Sequence, residues 1–257
     1  MRPKDLLDAD KIRQGLKTKR IGREVLVFAT VTSTNDIAAQ YTSDPENDGL
    51  VIIAEEQTSG RGRGGNKWYG GNSESVLCSI VLANESLNAE LLSLTTAVAV
   101  AEAIGEPARV KWPNDIILNG RKVAGILLES KQTGHGKTYV LGIGINCHQK
   151  KFPVELSDVA TSIDIEADSV CDRVLLTKRL LSSLEHWIDI AHKKVQQVIR
   201  TWSHLSLLLG QRVTVLCNRR KFTGTCSGID PEKGLILQLD TGHIQFFRAE
   251  QTAIAKQ

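Results

Sequence analysis

The pair Asn119-Gly120 constrains the fold of this chain more than any other local feature. Apolar runs flank the pair at residues 116–118 and 123–128. An Asn-Gly pair accepts the positive φ angles of a type I′ turn, whose twist matches that of two neighbouring antiparallel strands. The sequence therefore predicts a β-hairpin at this point.

Lys122 begins the second strand of this predicted hairpin. Side chains along a strand alternate between two faces, so a period of two places Lys122 on one face with three apolar residues. These residues are Ala124, Ile126 and Leu128. We therefore expect the lysine amine to lie beside an apolar surface.

Residues 139–147 predict a second informative strand. Its period of two puts Gly142, Gly144 and Asn146 on one face, so that face is almost bare of side chains. Alternating glycines in a strand indicate that something lies directly against the backbone. Either a ligand or a packed helix would satisfy this pattern.

The rest of the chain alternates between strand-like and helix-like patterns up to about residue 205. Hydrophobic steps of three and four residues predict a helix over residues 87–101 and one long or two successive helices over residues 170–202. Ser33 is a suitable N-cap for a helix over residues 34–39. Further strands are predicted at residues 25–31, 50–54 and 75–83.

After Leu209-Gly210 the pattern changes to short alternating strands, which predict a small β-barrel. The strands are expected at residues 212–216, 221–227, 235–239 and 243–248. We divide the chain into a short N-terminal extension, a large domain and a barrel domain. The boundaries are 1–24, 25–205 and 206–257.

Composition excludes several classes of protein. The 257 residues are 41% hydrophobic and 24% charged, and no apolar run approaches the roughly 20 residues of a membrane helix. The charged N-terminus lacks a signal-peptide pattern, which favours a cytoplasmic protein without membrane association. Five widely spaced cysteines with no C-x-x-C pair argue against a disulfide framework and a zinc site. A net charge of +3 is too small to predict a polyanionic partner.

Two glycine-rich, basic regions suit anions: residues 60–68, and residues 111–125. Glycines allow backbone N–H groups to approach a ligand, while arginine and lysine neutralise carboxylate or phosphate oxygens. The spacing Gly60-x-Gly62-x-x-Gly65 also fits a dinucleotide fingerprint, but the residues that follow are not helix-like, as that motif requires. An exposed surface loop remains an alternative for this segment.

Five motifs in order along the chain resemble those of the biotin protein ligase family. They are Ser33-Thr34-Asn35, residues 56–68, Lys111-Trp112-Pro113-Asn114-Asp115, residues 120–127, and Gly142-Ile143-Gly144-Ile145-Asn146. The resemblance extends from about residue 25 to the end of the chain. It implies an α+β fold in which helices flank a mixed or antiparallel sheet, a class II synthetase-like catalytic domain, followed by an SH3-like barrel.

The resemblance also implies a reaction in two steps. Biotin and ATP, with Mg²⁺, would give biotinyl-adenylate and pyrophosphate, and the biotinyl group would then pass to a lysine of a biotin carboxyl carrier domain. By similarity Arg61 and Arg63 contact the carboxylate and the α-phosphate, and Lys122 bridges the oxygens of the forming acyl-phosphate. No residue is assigned as a Mg²⁺ ligand.

The remaining site residues are implied in the same way. Ser33, Thr34 and Gln57 would hold the ureido ring of biotin, although Ser33 is equally suited to capping a helix. Asp115 could bind ligand or fix a turn. The full predicted binding set is Ser33, Thr34, Asn35, Gln57, Gly60, Arg61, Gly62, Arg63, Trp68, Lys111, Asn114, Asp115, Lys122, Gly125, Gly142, Gly144 and Asn146.

Further expectations concern the loop, the partners and alternative functions. We predict that residues 60–71 are mobile without ligand and become ordered over the adenylate. About 24 residues before the large domain cannot hold the winged-helix domain of the family's repressors, so we expect no sequence-specific DNA binding. The sequence does not decide whether the protein forms a homodimer. The alternatives are a non-catalytic sensor of biotin or its adenylate, and a lipoate-type ligase.

Overall fold

The computed structural model describes residues 6–70, 73–167 and 169–255. A seven-stranded mixed sheet forms its larger part, in the order β1-β2-β3-β7-β6-β5-β4, with only the β1–β2 pair parallel. The strands are β1 (Val25–Val31), β2 (Val51–Gln57), β3 (Ser75–Leu82), β4 (Arg109–Lys111), β5 (Asp115–Leu118), β6 (Arg121–Thr133) and β7 (Gly136–Asn146). This is the mixed sheet of the predicted α+β fold.

Helices cover both faces of this sheet. They are α1 (Ala9–Arg13), α2 (Thr34–Gln40), α3 (Ala89–Ile104), α4 (Ile163–Glu166), α5 (Arg173–Lys193) and α6 (Val195–Leu205). α2 packs on β2, β3 and β7, whereas α3 lies between the other face and α5 and α6. Because α3 has neighbours on both sides, it is buried almost all round and shows no simple apolar stripe. Within the described residues, no helix is long and apolar enough to cross a membrane.

The predicted hairpin is confirmed, since Asn119 and Gly120 have φ angles of 47° and 84° between β5 and β6. The predicted orientation of Lys122 is wrong. A β-bulge lets β6 advance two residues for one of β5, pairing Ile116 with Ala124 but Ile117 with Lys122. The extra residue reverses the alternation, so Lys122 lies over Gly125 instead of sharing a face with Ala124.

The C-terminal part of the chain forms a separate antiparallel sheet of five strands. They are β8 (Arg212–Cys217), β9 (Arg220–Asp230), β10 (Gly234–Leu239), β11 (Ile244–Phe247) and β12 (Thr252–Ile254), in the order β11-β10-β9-β8-β12. β12 was not predicted from the sequence, because its three residues are too few for a recognisable alternation. Its pairing with β8 brings the end of the chain beside the larger sheet.

The segment before β1 packs on the larger sheet and its helices. Leu7, Ile12 and Ile21 are buried in the same apolar core as that sheet. α6 ends at Leu205, where we predict the start of the barrel domain. The division into an extension, a catalytic domain and a barrel domain stays a prediction.

Candidate active site

A cavity of about 160 Å³ opens where α2, the loop after β2, the β5–β6 hairpin and β7 meet. Most of the residues predicted from the sequence line it. They are Ser33, Thr34, Asn35, Gln57, Arg61, Gly62, Arg63, Trp68, Asn114, Asp115, Lys122, Gly125, Gly142 and Gly144. The structure therefore brings together segments that lie up to about a hundred residues apart in the chain.

Hydrogen bonds between buried polar side chains order one wall of this cavity. The Gln57 Oε1 atom accepts the Thr34 backbone N–H at 2.7 Å and lies 3.1 Å from the Thr34 hydroxyl. The hydroxyl of Ser79, on β3, lies 2.7 Å from Thr34 Oγ1 and 2.6 Å from Asn35 Oδ1. Ser33 occupies the N-cap position of α2, but its side chain makes no capping hydrogen bond. The wall offers both donors and acceptors to a polar ligand.

Trp68 covers the glycine-bearing face of β6 and β7. Gly125 and Gly144 are paired across these strands, and a Cβ atom built on either would lie 2.9 Å from Trp68 Cζ3 or 2.5 Å from Trp68 Cε2. Real side chains do not approach so closely, so only glycine allows the indole to lie here. At Gly142 the corresponding space is occupied by the side chain of Asn35. Protein side chains therefore fill much of the face that the sequence left open.

Lys122 lies at the centre of the site. Its Nζ atom is 2.5 Å from Asp115 Oδ1 and 5.5 Å from the centre of the Trp68 ring. Asp115 is therefore an ion-pair partner of Lys122. The sequence had suggested instead that Asp115 binds ligand or fixes a turn. The ion pair fixes the Lys122 ammonium, which is partly exposed to the cavity.

Arg61 makes a bidentate ion pair with Asp36 on α2, at 2.9 and 2.7 Å. Glu129 on β6 lies 3.7 Å from the same guanidinium and accepts a hydrogen bond from Asn35 at 2.6 Å. Hydrogen bonds from Arg61 hold the pKa of the Asp36 carboxyl below its ordinary value, against a smaller opposing effect of burial. The arginine is thus aimed along one rim of the cavity by two carboxylates.

Arg63 joins the loop after β2 to the C-terminal segment of the chain. Its guanidinium donates to the carbonyl oxygens of Ala249 and Thr252 and lies 3.4 Å from Asn114 Oδ1. The backbone N–H of the same Ala249 donates to Glu90 on α3 at 2.7 Å. Burial lowers the pKa of Arg63, while the charges of Asp115 and Glu90 act in the opposite direction. These contacts fix the C-terminal segment beside the site.

A second, wider cleft of about 1150 Å³ continues from the loop toward the C-terminal sheet. One wall contains residues 61–66 and 111–115, and the other contains Asn218, Arg219 and residues 250–254. Arg61, Arg63 and Asn114 line both the cavity and the cleft. The two spaces therefore form one continuous site with a narrow inner part and a broad outer part.

Three of the predicted residues lie outside the inner cavity. Lys111 lines the outer cleft. Gly60 is buried, and its carbonyl accepts the Trp68 N–H at 3.0 Å, which closes the loop into a hairpin. Asn146 donates from Nδ2 to the Thr161 carbonyl at 2.9 Å and lies in neither space, so the structure does not bring it together with the other predicted binding residues.

Several residues that shape the site could not be predicted from the sequence. Ser79, Asp36 and Glu129 carry no motif, and their roles depend on the pairing of β3 with β7 and on the position of α2. The alternation along β3 could have placed Ser79 on a face, but not beside Thr34. No sequence signal identifies the carbonyls of Ala249 and Thr252 as partners of Arg63.

No three His, Cys, Asp or Glu side chains converge as a metal site in the described ranges. Magnesium keeps most of its oxygen ligands from water and substrate phosphates and needs only one or two carboxylates from a protein. Carboxylates are present along the outer cleft at Asp115, Glu129 and Glu250. A Mg²⁺ ion that enters bound to phosphate groups would therefore need few ligands from this protein.

Comparisons with known proteins agree with this arrangement. The sequence model of the Biotin/lipoate A/B protein ligase family matches residues 27–146. The bifunctional ligase/repressor BirA of Bacillus subtilis is 31% identical over 254 residues, which cover 95% of this chain and 78% of that protein. The biotin–[acetyl-CoA-carboxylase] ligase of Mycobacterium tuberculosis is 32% identical over 256 residues, which cover 91% of this chain and 94% of that one.

Among solved structures, the biotin protein ligase from Aquifex aeolicus in complex with biotin and ATP superposes with a TM-score of 0.79. It is 27% identical, and the match covers 91% of this chain and 100% of that one. Fold, motifs and relatives thus agree over nearly the whole length. The chain belongs to the biotin/lipoate A/B protein ligase family, and within it to the biotin protein ligases.

Proposed function

We propose that this protein adenylates biotin and transfers the biotinyl group to a lysine of a carrier domain. In the first step a biotin carboxylate oxygen attacks the α-phosphorus of MgATP, the bond between the α-phosphorus and the bridging oxygen breaks, and pyrophosphate leaves. In the second step a lysine ε-amine attacks the acyl carbon and AMP leaves with the bonding electron pair. The lysine nitrogen loses a proton and becomes an amide.

One observation carries this proposal: Lys122, Arg61 and Arg63 converge on a single space next to a polar wall. Two anions must approach each other in the first step, and fixed cations that face the developing charge usually give the largest part of catalysis. Lys122 is already held by Asp115 and Arg61 by Asp36. Little reorganisation of Lys122 is needed when the substrates bind, whereas Arg61 moves with its loop.

The polar wall suits the ureido ring of biotin. A ureido group has two N–H donors and one carbonyl acceptor, and the wall offers the hydroxyls of Ser33 and Thr34 and the amide of Gln57. Ligand cavities usually measure about 300–1000 Å³, so the inner space of 160 Å³ is small for biotin. We infer that Trp68 moves away from Gly144 when biotin enters.

The outer cleft would receive MgATP beside Asn114 and Lys111. The relative from Aquifex aeolicus, whose structure contains biotin and ATP, supports this assignment. The acceptor would be a biotin carboxyl carrier domain, as the name of the Mycobacterium tuberculosis relative suggests. Cytoplasmic location, lack of repressor activity and homodimer formation stay proposals.

Exchange of labelled pyrophosphate into ATP tests the first step without a carrier. The assay contains Mg²⁺ and either biotin, lipoate or no acid. We expect exchange that requires biotin. No exchange with either acid would instead favour a binding protein without chemistry, and exchange with lipoate alone would mean that the polar wall recognises a different acid.

The loop of residues 60–71 should become protected from protease when substrates bind. Arg61 and Arg63 are trypsin sites within a segment that is largely exposed as far as Gly70, while Gly71 lies outside the described residues. If the loop orders over the adenylate, addition of biotin and MgATP should slow cleavage by trypsin at both arginines. Equal cleavage rates with and without substrates would argue against loop closure. Biotin with AMP serves as the control, because it cannot form the adenylate.

A further inference from the structure

Arg219 occupies a backbone conformation that arginine rarely adopts. It is the second residue of the two-residue turn between β8 and β9, where Asn218 and Arg219 have φ angles of 48° and 64°. A turn with two positive φ angles favours glycine at its second position. The hairpin between β5 and β6 follows this rule with Asn119-Gly120. The second hairpin instead holds an arginine where glycine would fit without strain.

Arg219 lines the outer cleft on the side formed by the C-terminal sheet. The turn follows Cys217 directly, and Cys217 pairs with Thr252. The carbonyl of Thr252 in turn lies 3.4 Å from the guanidinium of Arg63. A short chain of contacts therefore links Arg219 to Arg63 in the loop after β2.

The cations along the cleft differ in what they already contact. Arg61 is paired with Asp36, and Arg63 donates to two backbone carbonyls. Within the described ranges, neither Arg219 nor Lys111 forms a hydrogen bond or an ion pair with another side chain. These two exposed cations lie on opposite walls of the same cleft.

The cations around the inner cavity cannot contact all the charged groups of a triphosphate. Arg61, Arg63 and Lys122 surround the inner cavity, where the carboxylate and α-phosphate would meet. The β- and γ-phosphates must extend toward the outer cleft, where a bidentate guanidinium and a lysine on the facing wall could neutralise them. Backbone strain retained at a site of this kind is typical of functional residues.

We propose that Arg219, together with Lys111, binds the β- and γ-phosphates of ATP and the leaving pyrophosphate. The inference rests on the proposed function. It assigns the C-terminal sheet a direct contact with substrate. It also predicts that this sheet contributes to selection of ATP over AMP, because AMP lacks the two phosphates in question.

The test is Arg219→Gly, which removes the guanidinium and gives the turn the residue it favours. The variant should therefore fold at least as stably as the parent protein. Loss of a charge-assisted contact should weaken binding of a non-hydrolysable MgATP analogue and of pyrophosphate by on the order of tenfold. Affinities for AMP and biotin should stay unchanged. Calorimetry measures the four affinities directly, without turnover.

Arg212→Ala is the matched control. Arg212 belongs to the same sheet and pairs with Asp240 at 2.5 Å, but it does not line the cleft. Its removal should leave all four affinities unchanged. Equal effects of the two variants would reduce the role of Arg219 to general charge and overturn the proposal.

The outcomes separate this inference from the proposed function. If the parent protein shows biotin-dependent exchange but Arg219→Gly binds the MgATP analogue and pyrophosphate normally, the inference fails alone. A loss of AMP and biotin affinity equal to the loss of ATP affinity would also overturn it. If the parent protein binds no MgATP, both the proposed function and the inference fall.

Discussion

Lys122→Ala should lower the rate of biotin-dependent pyrophosphate exchange by about 10²–10³-fold, the usual effect of removing one fixed group that stabilises developing charge. The bulge in β6 turns this lysine over Gly125, and Asp115 holds its amine at 2.5 Å. Alanine has no charge to offset the repulsion between the carboxylate and the α-phosphate. It also leaves Asp115 facing the cavity as an uncompensated anion, which adds to that repulsion.

Arg121→Ala is the control for this variant. Arg121 precedes Lys122 on the same strand, but its guanidinium pairs with Glu166 and lines neither the cavity nor the cleft. Its loss removes the same charge without touching the site, so exchange should stay within a few-fold of the parent rate. Steady-state kinetics should show the loss at Lys122 mainly in kcat. Equal rates for Lys122→Ala and the parent protein would remove this lysine from the proposed mechanism.

The position of Lys122 illustrates what the sequence can and cannot predict. The turn was readable because Asn119-Gly120 has a local conformational preference that few other pairs share. The bulge could not be predicted, because it arises from the register between β5 and β6 and its extra residue has no characteristic sequence pattern. A single extra residue was enough to move the lysine from the predicted face to the opposite one.

The candidate site was predictable in the same limited way. Motifs identified the residues that converge, because glycines and cations in a fixed order carry local information. They did not identify Ser79, Asp36 or Glu129, whose contacts depend on elements far apart in sequence. The alternating glycines of β7 correctly indicated an object against the backbone. In this structure the objects are the side chains of Asn35 and Trp68.

The largest effect on stability should come from Arg173→Met. Arg173 on α5 is fully buried, and its guanidinium donates to Glu55 at 2.7 Å and to the Ser75 carbonyl at 3.0 Å. Glu55 also accepts the backbone N–H of Leu7 at 2.6 Å, so the pair ties the N-terminal segment to the sheet and α5. Removing one partner of a buried ion pair usually costs about 3–5 kcal/mol, because the remaining charge is uncompensated.

Denaturant unfolding, followed by the far-ultraviolet circular dichroism signal, measures this loss. A matched surface change on the same helix is Arg179→Met, which should alter the free energy of unfolding by no more than about 0.5 kcal/mol. The double variant Glu55→Gln with Arg173→Met separates charge from packing. Glutamine keeps an acceptor for the Leu7 N–H but has no charge, so the double variant should be more stable than Arg173→Met alone.

Two results would contradict this account. The first is an unfolding free energy of Arg173→Met equal to that of the parent protein. The second is a double variant no more stable than the single one, which would locate the cost in lost packing and not in the buried carboxylate. Because neither Arg173 nor Glu55 lines the inner cavity or the outer cleft, the affinity of folded Arg173→Met for MgATP should be unchanged. A large loss of that affinity in folded protein would instead mean that the N-terminal segment helps to position the site.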